Sequence, residues 1–268
     1  MNKAILLGTT GVAAALAMLA FGFVTGNPQT AKADTVQIVQ TASSDGTKID
    51  RAEVEGIIRD YLLKNPEVLL EAQGALEAKQ KEEQRIASLG VIKNAKDEIF
   101  NSSFDGVVGN PNGKVTIVEF YDYNCGFCKR AIDDMRGLTK ADPDLRFVLK
   151  EFPILGPDSQ KASVVSMAFH LMKPEKYGEF HNALLGGQGR ATEAAAIKVA
   201  LSLGADEATL REKMKDPSIT QTFSKTYELA NKLAITGTPS YVVGNEVVFG
   251  ALGREVLAEK IEAAKAAL

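Results

Sequence analysis

Two cysteines, Cys125 and Cys128, are the only thiols of this 268-residue chain, and two residues separate them. A C-x-x-C pair can cycle between a dithiol and a disulfide when one thiol ionises. The pair follows an apolar run that predicts a buried strand, residues 115–121, and precedes a predicted helix over residues 129–139. The free N–H groups and partial positive charge of a helix N-terminus stabilise a thiolate. The position therefore predicts thiol–disulfide exchange, in which an exposed Cys125 attacks a foreign disulfide and Cys128 resolves the mixed disulfide.

Three other uses of the pair are alternatives. A structural disulfide would close a loop of only two intervening residues, which gives little entropic stabilisation. A zinc site usually needs four ligands, and beside the two cysteines the chain has two histidines, His170 and His181, eleven residues apart. We interpret both as satisfied helix residues rather than ligands or bases. Cu(I) needs only two soft thiolates, so copper binding stays open, and no cofactor is predicted.

Two further features support redox chemistry. Glu119 lies six residues before Cys125 within the apolar strand, where a buried carboxyl group has a raised pKa and can relay a proton to or from Cys128. A strand-end carboxylate that faces water is the alternative. Thr238-Pro239 precedes a predicted strand, and a cis bond here would leave the Thr238 backbone groups free to pair with an extended substrate. An ordinary trans turn proline is the alternative.

The order of the predicted elements indicates how these residues are positioned. A second strand over residues 145–152 follows the helix, and a strand–helix–strand unit makes the two strands parallel. Residues 157–234 have helical patterns throughout. Gly244-Asn245 then predicts a hairpin, and a closing helix follows it. The fold class is therefore α/β, a thioredoxin-like catalytic domain over residues 106–268 with a helical insertion at about 157–234.

The N-terminus predicts export. Residues 1–33 combine Lys3, an apolar alanine-rich stretch and a small-x-small site, so we predict a signal peptide with cleavage after Ala33. An uncleaved membrane anchor is the alternative. In either case residues 34–268 would lie in an exported compartment, where disulfides form and persist. Residues 34–49 are polar and predict a flexible leader.

Residues 50–105 predict an N-terminal helical oligomerisation segment and a linker. Apolar residues recur at helical spacing on both sides of Asn65-Pro66, which breaks the helix and restarts it. This segment is too short for a core of its own and must bury its apolar stripe elsewhere. The alternatives are the main domain and the same segment of another subunit. The charged run over residues 79–85 separates the segment from the domain and favours the second, hence a homo-oligomer.

Charge excludes one class of partner. The chain has 31 basic and 34 acidic residues, and two of the basic ones, Lys3 and Lys32, lie in the predicted signal. The mature protein would keep 29 basic and 34 acidic residues, a net charge of −5. This balance argues against nucleic acid as a partner.

The chain resembles the DsbA family of bacterial periplasmic thioredoxin-like disulfide oxidoreductases, most closely its ScsC-like branch. The resemblance covers most of residues 50–268. Four stretches carry it: VEFYDYNCGFCK at 118–129, KEFPILG at 150–156, TGTP at 236–239 and YLLKNPE at 61–67.

The resemblance implies a role for each matched position. It makes Cys125 the nucleophile, Cys128 the resolving thiol and Glu119 the buried acid. It also implies that the N-terminal segment makes oligomers, often trimers, and that a membrane redox partner recycles the dithiol. The residues that it implies face the substrate are Thr238, Pro239, Gly126 and Phe127.

Three functions follow as hypotheses. The first is a periplasmic protein disulfide isomerase, because several reduced active sites around one stem suit attack on wrong disulfides in unfolded or misfolded proteins. A DsbA-like dithiol oxidase is the alternative, and it requires a disulfide less stable than the dithiol. Gly126-Phe127 lacks the histidine of the most oxidising relatives, which predicts a weaker oxidant. A copper-binding or chaperone protein that uses the same thiols is the alternative of another class.

Overall fold

The computed structural model describes residues 50–267, so the predicted signal peptide and leader lie outside the described residues. Within the described residues, a boundary between two units falls between Ile58 and Arg59. The helices are α1 (Arg51–Lys64), α2 (Glu67–Asn94), α3 (Lys96–Phe100), α4 (Gly126–Ala141), α5 (Pro157–Met172), α6 (Tyr177–Leu185), α7 (Glu193–Ser202), α8 (Glu207–Lys213), α9 (Pro217–Lys232) and α10 (Arg254–Ala266). The strands are β1 (Gly106–Gly109), β2 (Val115–Tyr121), β3 (Leu145–Glu151), β4 (Ser240–Val243) and β5 (Glu246–Phe249). No helix within residues 50–267 has the length and apolar composition needed to cross a bilayer.

The strands form one mixed sheet in the order β1-β3-β2-β4-β5. β2 and β3 are parallel, with Val115 opposite Leu145, as the strand–helix–strand order predicts. The other three pairs are antiparallel, and β4 and β5 form the predicted hairpin. Strand β1 is not predicted from the sequence, because its two valines between glycines are too short a pattern to read.

Alternation along β2 divides the core between the two faces of the sheet. Ile117 and Tyr121 point to the face covered by α4, α5, α6 and α10. Val118 and Phe120 point to the opposite face, which packs on α9, α3 and the end of α2. Glu119 shares the face of Ile117 and Tyr121, so the pleat itself directs its carboxyl group toward the cysteine helix α4.

The N-terminal helices contain two kinds of apolar residue. Ile92 and Ile99 are buried in the core beside β2 and β3. Most large apolar residues before position 87 are exposed instead, Leu62 and Val68 are half-buried, and α1 has no buried residue. The exposed residues are Val54, Ile57, Ile58, Tyr61, Leu63, Leu69, Leu70, Leu76 and Ile86.

Asp105 and Lys150 form an ion pair that is almost completely shielded from water, with side chains 4% and 3% exposed. Lys150 Nζ also donates to the carbonyl of Glu98 at 2.8 Å. We expect Asp105→Ala to lower the free energy of unfolding by about 3–5 kcal/mol, because it leaves a buried ammonium without its counter-charge. Urea unfolding measures the effect, and Asp105→Leu with Lys150→Met should recover most of it. A cost for Asp105→Ala no larger than that of an exposed-site substitution would contradict this account.

Candidate active site

The cysteines lie at the start of helix α4, shortly after the end of strand β2. Cys125 is the N-cap residue of α4 and Cys128 belongs to its first turn, and both thiols are free. The Cys125 N–H donates to the Asp122 carbonyl at 3.0 Å, and the Cys125 carbonyl accepts from the Lys129 N–H at 3.0 Å. The backbone of Cys125 is thus held on both sides, with the N–H groups of the first helical turn next to its sulfur.

Cys125 is less exposed than the sequence predicts. The residue is only 5% exposed, because the loop before β4 packs against it and its Sγ donates to the Thr238 carbonyl at 3.0 Å. The prediction of an exposed Cys125 is therefore wrong for this conformation. The Thr238 carbonyl, predicted to be free for a substrate, is occupied by the thiol instead. That contact requires the protonated thiol, so ionisation of Cys125 frees the Thr238 carbonyl for a substrate strand.

The two thiols have opposite acidities. The pKa of Cys125 is lowered to about 5, first by a hydrogen bond from the Cys128 thiol and further by Thr238 and the N–H groups of Cys128 and Phe127. Burial raises the pKa of Cys128 far above its ordinary value, and its hydrogen bond to Cys125 and the charge of Glu119 raise it further. At neutral pH the pair therefore holds one thiolate and one thiol. This arrangement can support attack by Cys125 and a later attack by Cys128.

Glu119 is buried, which excludes the alternative of a carboxylate facing water. It is 3% exposed and lies between Leu149 of β3 and Tyr241 of β4 in the sheet register. Burial raises the pKa of Glu119 to about 8, and the charge of Cys125 adds to the rise. The carboxyl group is thus mostly protonated at neutral pH and can exchange a proton there.

The Thr238–Pro239 peptide bond is cis, as proposed from the sequence, and faces Cys125 through the Thr238 carbonyl. The Pro239 carbonyl accepts from the Gly250 N–H at 2.9 Å, which ties the loop to the end of the hairpin. The Thr238 hydroxyl is buried and has no hydrogen-bond partner within residues 50–267. It can donate to Cys125 once that thiol ionises, in keeping with its lowering effect on the Cys125 pKa.

Gly126 and Phe127 form the outer surface of the motif. Phe127 is 58% exposed, and the Arg130 guanidinium lies 4.3 Å from the centre of its ring. A Cβ at Gly126 would have Arg130 as its nearest neighbour, at 3.9 Å, so space does not require glycine there. The motif therefore presents an aromatic ring and positive charge beside Cys125.

His181 does not fit its interpretation as a satisfied helix residue. It is fully buried, and neither ring nitrogen has a hydrogen-bond partner within residues 50–267. Its ring packs edge-on against Tyr121, with centroids 4.7 Å apart. Burial lowers the pKa of His181 to about 3, so the imidazole is neutral. In the described part of the chain, no group of three or more His, Cys, Asp or Glu side chains is placed to hold one metal ion.

Sequence reasoning missed two polar residues just before Cys125. Asp122 is fully buried, and its carboxylate accepts from the Asn124 N–H at 2.7 Å and the Leu155 N–H at 2.9 Å. The Asn124 side chain bonds to the helical insertion. Two short polar residues at the exit of a buried strand are the signal that could have indicated such a turn.

Two family models match this chain. The model described as DSBA-like thioredoxin domain matches residues 116–262. The model described as Copper resistance protein ScsC N-terminal domain matches residues 50–83.

Solved structures of similar proteins agree with the fold. A thioredoxin-like oxidoreductase from Silicibacter pomeroyi DSS-3 is 39% identical, with 64% of this chain and 98% of that chain covered and a TM-score of 0.61. Proteus mirabilis ScsC in a transitional conformation is 28% identical, with 81% and 97% covered and a TM-score of 0.62. The predicted thioredoxin-like fold with an N-terminal helical segment is confirmed.

Curated relatives differ in how much of their length is matched. The chain spans 24% of the length of two Na(+)/H(+) antiporters, NhaA 3 of Salinispora tropica and NhaA 1 of Salinispora arenicola, at 26% identity over 162 residues. Disulfide bond formation protein D of Bacillus subtilis is 25% identical over 167 residues, which are 58% of this chain and 75% of that protein. Because the DSBA-like match extends over more than half of its residues, the chain belongs to the DSBA-like thioredoxin domain family.

Proposed function

We propose that this protein is a thiol–disulfide oxidoreductase that acts on disulfides of unfolded or misfolded proteins. The observation that carries the proposal is the asymmetry of the two free thiols, with a pKa of about 5 at Cys125 and a strongly raised pKa at Cys128. The Cys125 thiolate forms a bond to one substrate sulfur and releases the other as a thiolate. Cys128 then loses its proton and attacks the Cys125 sulfur, which releases the second substrate thiol. The substrate disulfide is reduced by two electrons and the Cys125–Cys128 pair is oxidised.

Glu119 is the group that we assign to the proton of Cys128. The two groups are buried on the same face of the sheet, and the charge of Glu119 raises the pKa of Cys128. The ionised fraction of this carboxyl group, whose pKa is about 8, can accept that proton as Cys128 attacks and return it when the disulfide is reduced. The peptide groups around Thr238 and Pro239 would align the substrate, with Gly126 and Phe127 on its outer side.

Protein disulfide isomerisation is the activity that we propose first. An isomerase needs Cys125 reduced and ready to attack, and it releases the substrate by rearrangement instead of net oxidation. Dithiol oxidation is the second candidate, and the low pKa of Cys125 favours it. A stable thiolate stabilises the dithiol form and makes the disulfide more oxidising.

Reactivation of scrambled ribonuclease in a glutathione buffer tests the proposal, with Cys125→Ala as the control. Recovery of ribonuclease activity that depends on Cys125 is the expected result. Fast oxidation of reduced ribonuclease without reactivation of the scrambled form would favour the oxidase. Absence of both activities, with tight Cu(I) binding by the dithiol, would replace the proposal by a copper-binding function, in line with the name of the matched N-terminal domain.

The proposed site of action is the periplasm. The predicted signal over residues 1–33 supports export, and the family resemblance supports a periplasmic destination. A membrane redox partner would return the Cys125–Cys128 pair to its working state. Fractionation of cells that express the full chain tests the location. Mass spectrometry of the recovered protein tests cleavage after Ala33.

The N-terminal helices are proposed to join subunits into a homo-oligomer such as a trimer. Leu69 and Leu76 lie nearly two helical turns apart on α2 and are 57% and 55% exposed, so they form an apolar stripe without cover in one chain. The match of residues 50–83 to the ScsC N-terminal domain supports the same role.

We expect Leu76→Glu to convert the oligomer to monomers and to lower isomerase activity, because a charge in an apolar helix interface is strongly unfavourable. Analytical ultracentrifugation, compared with the monomer mass of the same purified protein from mass spectrometry, measures the first effect. Ala78→Glu is the matched control, since Ala78 lies two and a half turns after Leu69 and hence on the opposite side of α2. An oligomer that survives Leu76→Glu unchanged would place the interface elsewhere.

A further inference from the structure

Asn124, the residue before Cys125, joins the active-site turn to the helical insertion. Its Nδ2 donates to the Ala191 carbonyl at 2.9 Å and to Ser159 Oγ at 3.1 Å. Its Oδ1 accepts from the Ala191 N–H at 2.8 Å. The amide therefore pairs with both backbone groups of one residue, as a neighbouring strand would. Ser159 and Ala191 are buried, so water competes little for these bonds.

The main chain of the same turn is held from the other side. The Asn124 N–H donates to Asp122 Oδ1 at 2.7 Å, and the Cys125 N–H donates to the Asp122 carbonyl at 3.0 Å. The turn thus has one anchor at Asp122, directly after β2, and one in the insertion. Because Cys125 follows directly, the direction of its sulfur toward the N–H groups of Phe127 and Cys128 depends on both anchors.

Lys129 reaches the same loop from the other end of the motif. Its Nζ donates to the Gly189 carbonyl at 2.6 Å and lies 3.4 Å from the Gly187 carbonyl. Lys129 is half-buried, but its ammonium makes these contacts at an exposed position, so they contribute little by themselves. The residues on both sides of the C-x-x-C motif nevertheless hold one short segment, residues 187–191, and the half-buried Asn124 makes the stronger connection.

We propose that Asn124 is a positioning residue that holds the Cys125 sulfur at the helix N-terminus by tying the preceding turn to residues 187–191 of the helical insertion. The inference rests on the proposed function, in which Cys125 is the attacking thiol. Its consequence is that the insertion helps to set the acidity of Cys125 and, through it, the oxidising strength of the pair. Glu119 and Cys128 are the ionisable groups that interact with Cys125, and both stay unchanged in the Asn124, Ser159 and Asn182 variants below.

Asn124→Ala in the full chain tests the inference. We expect the Cys125 pKa to rise by about one unit. This lowers the equilibrium constant for reduction of the Cys125–Cys128 disulfide by glutathione about tenfold, which corresponds to a reduction potential about 30 mV lower. Thiolate absorbance of the reduced protein measures the pKa, and glutathione equilibration measures the constant. Ser159→Ala removes one partner of Asn124 and should shift both quantities in the same direction by less.

Asn182→Ala is the matched control. The Asn182 side chain also joins α4 to the insertion, by accepting from Arg136 Nε at 3.1 Å, but it lies far along the helix from Cys125. It should leave the Cys125 pKa unchanged. A folded Asn124→Ala protein with an unchanged pKa overturns the inference. If that variant does not fold, an unchanged pKa in Ser159→Ala overturns it. Exchange activity that persists in Cys125→Ala would instead overturn the proposed function, whatever Asn124 does.

Discussion

Replacement of Cys125 by alanine is expected to lower the rate of disulfide exchange at pH 7 at least about a hundredfold, because the remaining thiol keeps its proton there. A thiol of ordinary pKa, 9.0, is about 1% ionised at pH 7, and burial raises the pKa of Cys128 above that value. Cys125, with a pKa of about 5, is almost fully ionised at the same pH. Scrambled ribonuclease reactivation measures the loss.

Cys128→Ala should behave differently. Cys125 can still attack in this variant, but no second thiol releases the substrate, so a mixed disulfide accumulates. Non-reducing electrophoresis with mass spectrometry should detect the adduct at Cys125. The Cys125 pKa should also rise, because the Cys128 hydrogen bond is the largest cause of its lowering. Equal adduct formation by Cys125→Ala and Cys128→Ala would contradict the assigned order of attack.

Glu119→Gln is expected to stabilise the reduced protein at alkaline pH. The Glu119 pKa is about 8 in the folded protein and 4.5 as the ordinary value, so the folded state holds an extra proton between these limits. Stability contributed by this group is present below about pH 4.5 and is lost as the pH rises to about 8. The loss amounts to about 5 kcal/mol, on an order-of-magnitude scale, since one pKa unit corresponds to about 1.4 kcal/mol.

Urea unfolding of wild type and Glu119→Gln at pH 5 and pH 8.5 measures this effect. The difference between the two proteins should grow in favour of the variant as the pH rises. Contributions of Glu151 and His181, whose pKa values are also shifted, cancel in that difference. Glu259→Gln, at an exposed position on α10, is the control and should give a flat difference. A flat difference for Glu119→Gln as well would show that its carboxyl group ionises as freely as an exposed one.

These results would bear on the choice between isomerase and oxidase. The absence of histidine between the cysteines predicts a weak oxidant, yet the Cys125 pKa of about 5 favours a stable dithiol. Phe127 and Cys128 supply helix N–H groups, Cys128 supplies its thiol, and Thr238 faces the sulfur from the cis-proline loop. The low pKa of Cys125 thus comes from contacts that take the place of the histidine. A measured reduction potential would decide which of the two activities dominates.

The local chemistry of the site could be predicted from the sequence. A short apolar run before Cys125 and a helical pattern after it are enough to place the thiol at a helix N-terminus. An apolar strand around Glu119 is enough to predict its burial and raised pKa, and Gly244-Asn245 is enough for the hairpin. These features depend on residues that are neighbours along the chain, so their causes are visible in the sequence.

Only the tertiary structure decided which distant residues meet. Thr238 contacts Cys125 across 113 positions and reduces its exposure, and Asn124 pairs with Ala191 across 67 positions. In the described part of the chain, neither ring nitrogen of His181 has a hydrogen-bond partner, because tyrosine rings pack around it, although its helical spacing looks ordinary. Such contacts arise when separate elements pack on one sheet, and their geometry depends on the sum of many weak packing interactions. The identity of the two thiols that we propose to react was therefore a property of the sequence, whereas their exposure and acidity were set by the packing around them.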